Sequence, residues 1–283
     1  MSISSLARAM KIDRLPILGG PLRQAGKFLN AWRFRDSGVH ALVDGEVDLQ
    51  LSPLSFSGGA YSFDPRLTRE IRMLANPSRD FLDVGAHVGI ASLLYSKFTN
   101  RKARIAAFEP NPNVFPVLCE NSRVNGMPLE AYRIALGDTI GMTSFFVDGN
   151  DPNASLSGDA PGKYWYWEDK AKPTMAQCSV PISTIDAFCA ATGFQPGLIK
   201  LDVEGAELQA IRGAGHILKQ HRPLILMETH VFAWESFGYT REDLERAIAD
   251  AGYKVFDEHD KPFSGPLGSG SERDNNHFIL RPA

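Results

Sequence analysis

Two pairs of side chains, Asp202 with Glu204 and Glu228 with His230, have the spacing of working groups at a sheet edge. Each pair closes an apolar run, and its members stand two positions apart. In extended chain, residues two apart share a face. If both runs are strands, all four side chains project from the carboxyl edge of a sheet, where open α/β sheets bind ligands. There they could orient and deprotonate an acceptor. Asp202 is expected to orient it, and His230 to move the proton, because imidazole titrates closest to neutrality. Three carboxylates and an imidazole also suit a hard divalent ion, but no close ligand motif accompanies them, so a divalent metal is an open reading that is not favoured. The plainer alternative is that Glu204 and Glu207 favour the first turn of a following helix and that His230 is a loop histidine.

A second constellation comes earlier in the chain. Asp83-Val84-Gly85-Ala86-His87-Val88-Gly89 runs into Ile90, Ala91, Leu93 and Leu94, a strand-to-helix turn with glycines. Such turns let the backbone bend sharply and offer main-chain N–H groups to a ligand. His87 stands where a middle glycine often occurs, so the dinucleotide fingerprint is not met. Further on, Phe108-Glu109-Pro110-Asn111-Pro112 places a carboxylate at a strand end, where it can accept both hydroxyl hydrogens of a ribose. Turn and acid together read as a site for an adenosine-containing cofactor. On these residues alone, NAD and S-adenosylmethionine both remain open.

The elements needed to hold these groups are legible as alternating β-branched runs and helical periods, the signature of βαβ units and a mostly parallel sheet. Seven strands are read at residues 80–84, 104–108, 129–135, 198–203, 224–228, 253–257 and 277–281. Leu208, Ile211 and Leu218 fall at helical spacing, as do Leu244, Ala247, Ile248 and Ala251. Thr240 with Asp243 forms a capping box. Residues 39–51 are strand-like and 65–75 helical. Residues 148–179 interrupt the alternation with a polar loop carrying Tyr164, Trp165, Tyr166 and Trp167, and loops of that length are usually functional or disordered. Tyr164, Trp165 and Trp167 are candidate acceptor contacts in a substrate lid, or anchors pinning the loop to the core. Asn153 and Ser155 are candidate cofactor or substrate contacts, or a solvated turn.

Composition sets the frame. The 283 residues are 43% hydrophobic and 22% charged with a formal charge of -3, enough apolar material for a large core and no global field for nucleic acid. Cys119, Cys178 and Cys189 have no paired or zinc-binding spacing. No apolar run reaches the roughly 20 residues that span a bilayer, so a soluble, cytoplasmic enzyme is expected. In the first 35 residues, Arg8, Lys11, Arg14, Arg23, Lys27, Arg33 and Arg35 are opposed by Asp13 alone. Residues 1–60 thus read as a basic extension: a packed, solvated arm, a dimer arm forming a homo-oligomer, a cap or a membrane-surface contact. Residues 61–283 read as the catalytic domain, with 148–179 inserted.

Five ordered motifs carry a family likeness: Asp83 to Ser92, Phe108 to Asn113, Ala135-Leu-Gly-Asp138, Val180 to Asp186, and Ile199-Lys-Leu-Asp-Val-Glu-Gly-Ala-Glu207. Together they resemble the FkbM family of S-adenosylmethionine-dependent methyltransferases. The resemblance implies a Rossmann-like class I methyltransferase fold: a seven-stranded, mostly parallel sheet with an antiparallel last strand and helices on both faces. It implies that Gly85, His87 and Gly89 line the methionine and ribose side of the cofactor, that Glu109 holds the ribose, and that Ala135, Leu136 and Asp138 border the adenine. Asp83, Asn111 and Asp202 complete the cofactor set. The resemblance further implies S-adenosyl-L-homocysteine as product and O-methylation of a sugar, glycan or secondary metabolite. A small amine as acceptor, an NAD-dependent oxidoreductase and a non-catalytic adenosine-binding module are the alternatives.

Overall fold

The computed structural model describes residues 36–283 apart from 54–55, 57, 128, 149–153, 156–174, 258 and 269–276. The basic head up to residue 35, Asn153 and the aromatic run Tyr164 to Trp167 lie outside the described residues.

In chain order the elements are β1 (Val39–Val43), β2 (Val47–Leu51), β3 (Gly59–Tyr61), α1 (Pro65–Leu74), β4 (Asp80–Val84), α2 (Ile90–Phe98), β5 (Ile105–Phe108), α3 (Phe115–Val124) and β6 (Leu129–Tyr132). There follow β7 (Ala135–Leu136), β8 (Gly141–Asp148), β9 (Ala154–Ser155), β10 (Met175–Ser183), α4 (Ile185–Thr192), β11 (Pro196–Leu201), α5 (Glu207–Arg212) and α6 (Gly215–Gln220). The chain ends with β12 (Leu224–Glu228), α7 (Val231–Trp234), α8 (Arg241–Asp250), β13 (Tyr253–Phe256) and β14 (His277–Pro282).

Among the described residues, a seven-stranded sheet has the order β13-β14-β12-β11-β4-β5-β6. β14 runs antiparallel to both β12 and β13, and the other pairings are parallel. Alternation along each strand explains why both faces need cover. Phe81, Ile105, Leu198, Leu226 and Ile279 join a core with α1, α2, β1 and β2. Their neighbours Leu82, Ala106, Ile199, Ile225 and Leu280 join a second core with α4, α5, α6 and α8. The fold is thus the expected Rossmann-like one, with helices on both faces. No helix among the described residues is long and apolar enough to cross a membrane.

Local chemistry marks the helix starts. Asp64 accepts hydrogen bonds from the N–H groups of Arg66 and Leu67 ahead of α1, with Pro65 in the first turn. Thr240 and Asp243 form the anticipated capping box of α8. α6 is capped from a distance: Asp186 on α4 accepts from the N–H groups of His216 and Ile217 at 2.7 and 2.9 Å.

Two expectations need correction. The run at 129–135 is not one strand: β6 ends at Tyr132, and Ala135–Leu136 pairs in parallel with β10 in a separate four-stranded sheet, β7-β10-β8-β9. Nor is 148–179 a loop throughout, since Met175 to Ser179 belong to β10, which runs antiparallel to β8. That sheet buries Phe145, Val147 and Val180 around Ala135 while Met142 stands exposed. Its pairing joins distant segments, so no local pattern announces it.

Candidate active site

The register of the main sheet assembles the site. Lys200 and Leu201 of β11 lie beside Asp83 and Val84 of β4, and Leu201 also lies beside Met227 of β12. One step further along, Gly85, Asp202 and Glu228 meet at the carboxyl edge. The approach at Gly85 is so close that a Cβ there would sit 1.7 Å from the carbonyl oxygen of Asp202, at a φ of 79°, so only glycine fits. His87 follows with a left-handed φ of 51°, a conformation that costs a side chain about 1–2 kcal/mol and tends to persist at functional sites.

That turn is tied down from both sides. Asp83 is fully buried beneath it, and its Oδ2 accepts from the N–H and the hydroxyl of Ser92 at 3.1 and 2.7 Å. Glu109, at the end of β5, accepts from the His87 N–H through Oε2 and from the Asn111 N–H through Oε1, each at 2.8 Å. Burial pushes the Glu109 carboxyl up to about 7, against the lowering effect of those two N–H groups and of Lys200.

These groups border a cavity of about 1030 Å³ including its open mouth. Gly85, His87, Glu109, Ala135, Leu136, Asp202 and Glu204, all anticipated from sequence, line it. Asp83, Gly89, Asn111 and Asp138 do not: Asp83, Gly89 and Asn111 are buried behind the wall, and Asp138 is exposed. Ser155 lies in β9 opposite Phe146. Sequence reasoning missed Tyr61 at the end of β3, Phe63 just after it, Ile134, Phe145 of β8 and Lys200, which also line the cavity. Lys200 stood inside a quoted motif and could have been noticed there. The aromatic residues come from elements that reach the site only through tertiary packing.

Lys200 is 5% exposed, and an unpaired buried ammonium would cost several kcal/mol. Its Nζ donates to the Gly85 carbonyl at 2.9 Å and to Asp202 Oδ2 at 3.1 Å, and lies 3.5 Å from Asp83 Oδ1. Burial works against its charge, but Asp202 and Asp83 outweigh burial and hold it above the usual lysine range. Burial likewise disfavours the Asp202 carboxylate, and Lys200 and His230 reverse that, leaving it low. Glu228 moves the other way, raised by burial and by Asp202.

Behind Asp202 and Glu204 sits His230, whose Nδ1 donates to Glu207 at 2.9 Å. Glu207 is fully buried and also accepts from the Trp234 indole, the Tyr239 hydroxyl and the Gly205 N–H at 2.8, 2.9 and 3.1 Å. His230 Nε2 faces Glu204 Oε2 at 3.5 Å, with Asp202 Oδ1 and Glu228 Oε1 both at 3.8 Å. Burial opposes a charge on the imidazole, but Glu204, Glu207 and Glu228 carry it well above the ordinary histidine range. The four edge groups named from sequence are therefore brought together, with Asp202 and Glu204 on the cavity wall and Glu228 and His230 behind them. His277, opposite Glu228 in β14, joins them at 3.6 Å from Glu228 Oε2.

Comparisons with known proteins place the chain in a family. Hexuronic acid methyltransferase AglP of Haloferax volcanii is 25% identical over 169 residues, covering 60% of this chain and 61% of that protein. Methyltransferase sdnD of Sordaria araneosa is 27% identical over 201 residues, 63% of this chain and 75% of that protein. The crystal structure of methyltransferase FkbM from Methylobacillus flagellatus KT has a TM-score of 0.44 at 16% identity, covering 72% of this chain and 44% of that one. The methyltransferase FkbM domain model matches residues 83–255, a span that starts at the acid beneath the glycine turn. The chain belongs to the FkbM family and carries an S-adenosylmethionine-dependent methyltransferase domain.

Proposed function

We propose that the protein transfers the methyl group of S-adenosylmethionine to a hydroxyl of a sugar, glycan or secondary metabolite. The observation that carries this reading is a single cavity lined both by the glycine turn with Glu109 and by the carboxylates Asp202 and Glu204. In the balanced reaction, the acceptor oxygen bonds to the methyl carbon as the carbon–sulfur bond breaks. S-adenosylhomocysteine leaves, and the hydroxyl proton is released to a protein carboxylate or to water. Such an in-line displacement needs alignment and exclusion of water above all.

In this reading Glu109 accepts the two ribose hydroxyl hydrogens, the turn at Gly85 and His87 carries the methionine side, and Ala135 and Leu136 border the adenine. Asp202 and Glu204, which line the cavity, orient the acceptor and take its proton. His230 positions them, because an imidazole held charged by three carboxylates is a poor base. The sugar assignment is supported by the name of the haloarchaeal relative, a hexuronic acid methyltransferase.

The test is incubation of the chain with methyl-labelled S-adenosylmethionine and pools of sugars, uronic acids, glycans and amines, followed by mass spectrometry. Label in a methyl ether is the expected result. Label on nitrogen would transfer the reading to amines, which the acidic wall would also hold. No product from any pool, with Asp202→Asn indistinguishable from wild type, would sink it.

A further inference from the structure

The cluster behind the cavity wall has the construction of a cation site. His230 is 6% exposed, and with Nδ1 committed to Glu207 its Nε2 points at three carboxylate oxygens 3.5 to 3.8 Å away. Those distances exceed a good hydrogen bond. They match the separation of donors sharing one ion, since ligand bonds of about 2.0–2.2 Å put neighbouring donors roughly 3–4 Å apart. One donor atom each from Asp202, Glu228 and His230 fall within 4.8 Å of one another.

What separates this cluster from an ordinary group of acids is that Asp202 and His230 are held from behind. Lys200 binds Asp202 Oδ2, leaving Oδ1 toward Nε2. His277 Nε2 stands 3.4 Å from Asp64 Oδ2 and 3.6 Å from Glu228 Oε2, while Glu228 Oε1 faces His230 Nε2. Glu207 takes the far ring nitrogen of His230 and is itself fixed by Trp234, Tyr239 and Gly205. A carboxylate behind the second nitrogen is the outer-shell arrangement that orients a metal-binding histidine and raises its basicity.

We propose that Asp202, Glu228 and His230, with Glu204 alongside, bind one divalent cation of the Mg²⁺ or Mn²⁺ kind, the oxygen-rich donor set those ions prefer, the His230 Nε2 proton leaving to solvent as the ion takes its place. The sequence alone did not favour a metal, because spacing shows neither the outer partners nor the aim of Nε2. Because Asp202 and Glu204 also line the cavity, the site adjoins the space for the acceptor. Resting on the methyltransferase reading, the cation would supply a Lewis acid that makes the acceptor hydroxyl easier to deprotonate.

Titration of the full chain with Mn²⁺, followed by electron paramagnetic resonance and calorimetry, tests this, with S-adenosylhomocysteine binding measured in parallel. One bound ion per chain is expected. Glu228→Gln and His230→Gln should each weaken Mn²⁺ by at least about 100-fold, and His277→Gln, an outer partner, by about 10–100-fold. Circular dichroism and unchanged S-adenosylhomocysteine affinity would verify that the variants fold. A chain that binds S-adenosylhomocysteine but no Mn²⁺ at millimolar concentration overturns the site, as does Mn²⁺ binding unaltered in both Glu228→Gln and His277→Gln. Full turnover in a chelator removes the cation from the reaction and leaves methyl transfer standing. Loss of S-adenosylhomocysteine binding alone would instead strike the cofactor reading.

Discussion

At the scale of single residues, Glu109 sets binding against stability. Its carboxyl stands at about 7 rather than the ordinary 4.5, so the folded chain holds that proton more tightly than the unfolded chain. The stabilisation is full below the unfolded value and is lost as pH rises through about 7, a change of about 3 kcal/mol. With Glu109 in the proposed ribose-binding role, cofactor binding should have the opposite sign, because only the ionised carboxylate accepts two ribose hydroxyls. Affinity for S-adenosylhomocysteine should therefore rise from about pH 6 to about pH 8 in the wild type. Glu109→Gln should flatten that profile and weaken binding by about 10–100-fold at the upper end, the worth of hydrogen bonds to a charged group. Melting curves supply the second readout: the wild type should lose stability relative to Glu109→Gln between about pH 5 and about pH 8. A parallel pair of melting profiles would refute the raised carboxyl.

At the scale of elements, the site depends on where strands stop. β6 ends at Tyr132, and the chain turns out of the main sheet so that Ile134, Ala135 and Leu136 form cavity wall. β8 and β10 then build a small sheet that brings Phe145 to the same wall. The stretch Val180 to Asp186, noticed as a family motif, has a structural task here. Thr184 caps its own helix through the Ala187 N–H, and Asp186 caps α6 across a gap in sequence. Asp186→Ala should cost about 1–2 kcal/mol and lower the melting temperature by about 2–8 °C, while S-adenosylhomocysteine affinity, measured by calorimetry, stays at the wild-type value. A fall in affinity as large as the fall in stability would show that this corner is coupled to the cofactor.

For the whole molecule, the two cores on opposite faces of one sheet leave its carboxyl edge as the place where backbone ends and charged side chains collect. A ligand seated there bridges β4, β5 and β11 and must stabilise the fold by mass action. With S-adenosylhomocysteine at one hundred times its dissociation constant, the gain is about 2.7 kcal/mol, a rise of about 5–11 °C in melting temperature. NAD at the same concentration should leave the midpoint unmoved, since the turn lacks the middle glycine of a dinucleotide fingerprint. A shift with NAD and none with S-adenosylhomocysteine would reverse the cofactor assignment.

The sequence by itself determined the strands of the main sheet and the glycine turn, because these rest on local periodicity. It named Asp202, Glu204, Glu228 and His230 together, but β11 stops at Leu201 and β12 at Glu228, and Glu204 has a φ of 52°, so turns beyond the strands, and not strand alternation, bring Glu204 and His230 to the edge. It also determined the capping box at Thr240, where all the bonding groups lie within one turn. Only the tertiary structure decided that β7 leaves the main sheet, that part of 148–179 is strand, and that Tyr61, Phe63 and Phe145 share a wall with Glu109. It alone decided the aim of each acid. The tie of Lys200 to the Gly85 carbonyl, the approach of His277 to Glu228 and the bond of His230 to Glu207 are contacts made across strands and helices. The physical reason is one of range: a side chain's alternation is set by its neighbours in the chain, whereas its partner is set by packing between segments far apart in sequence.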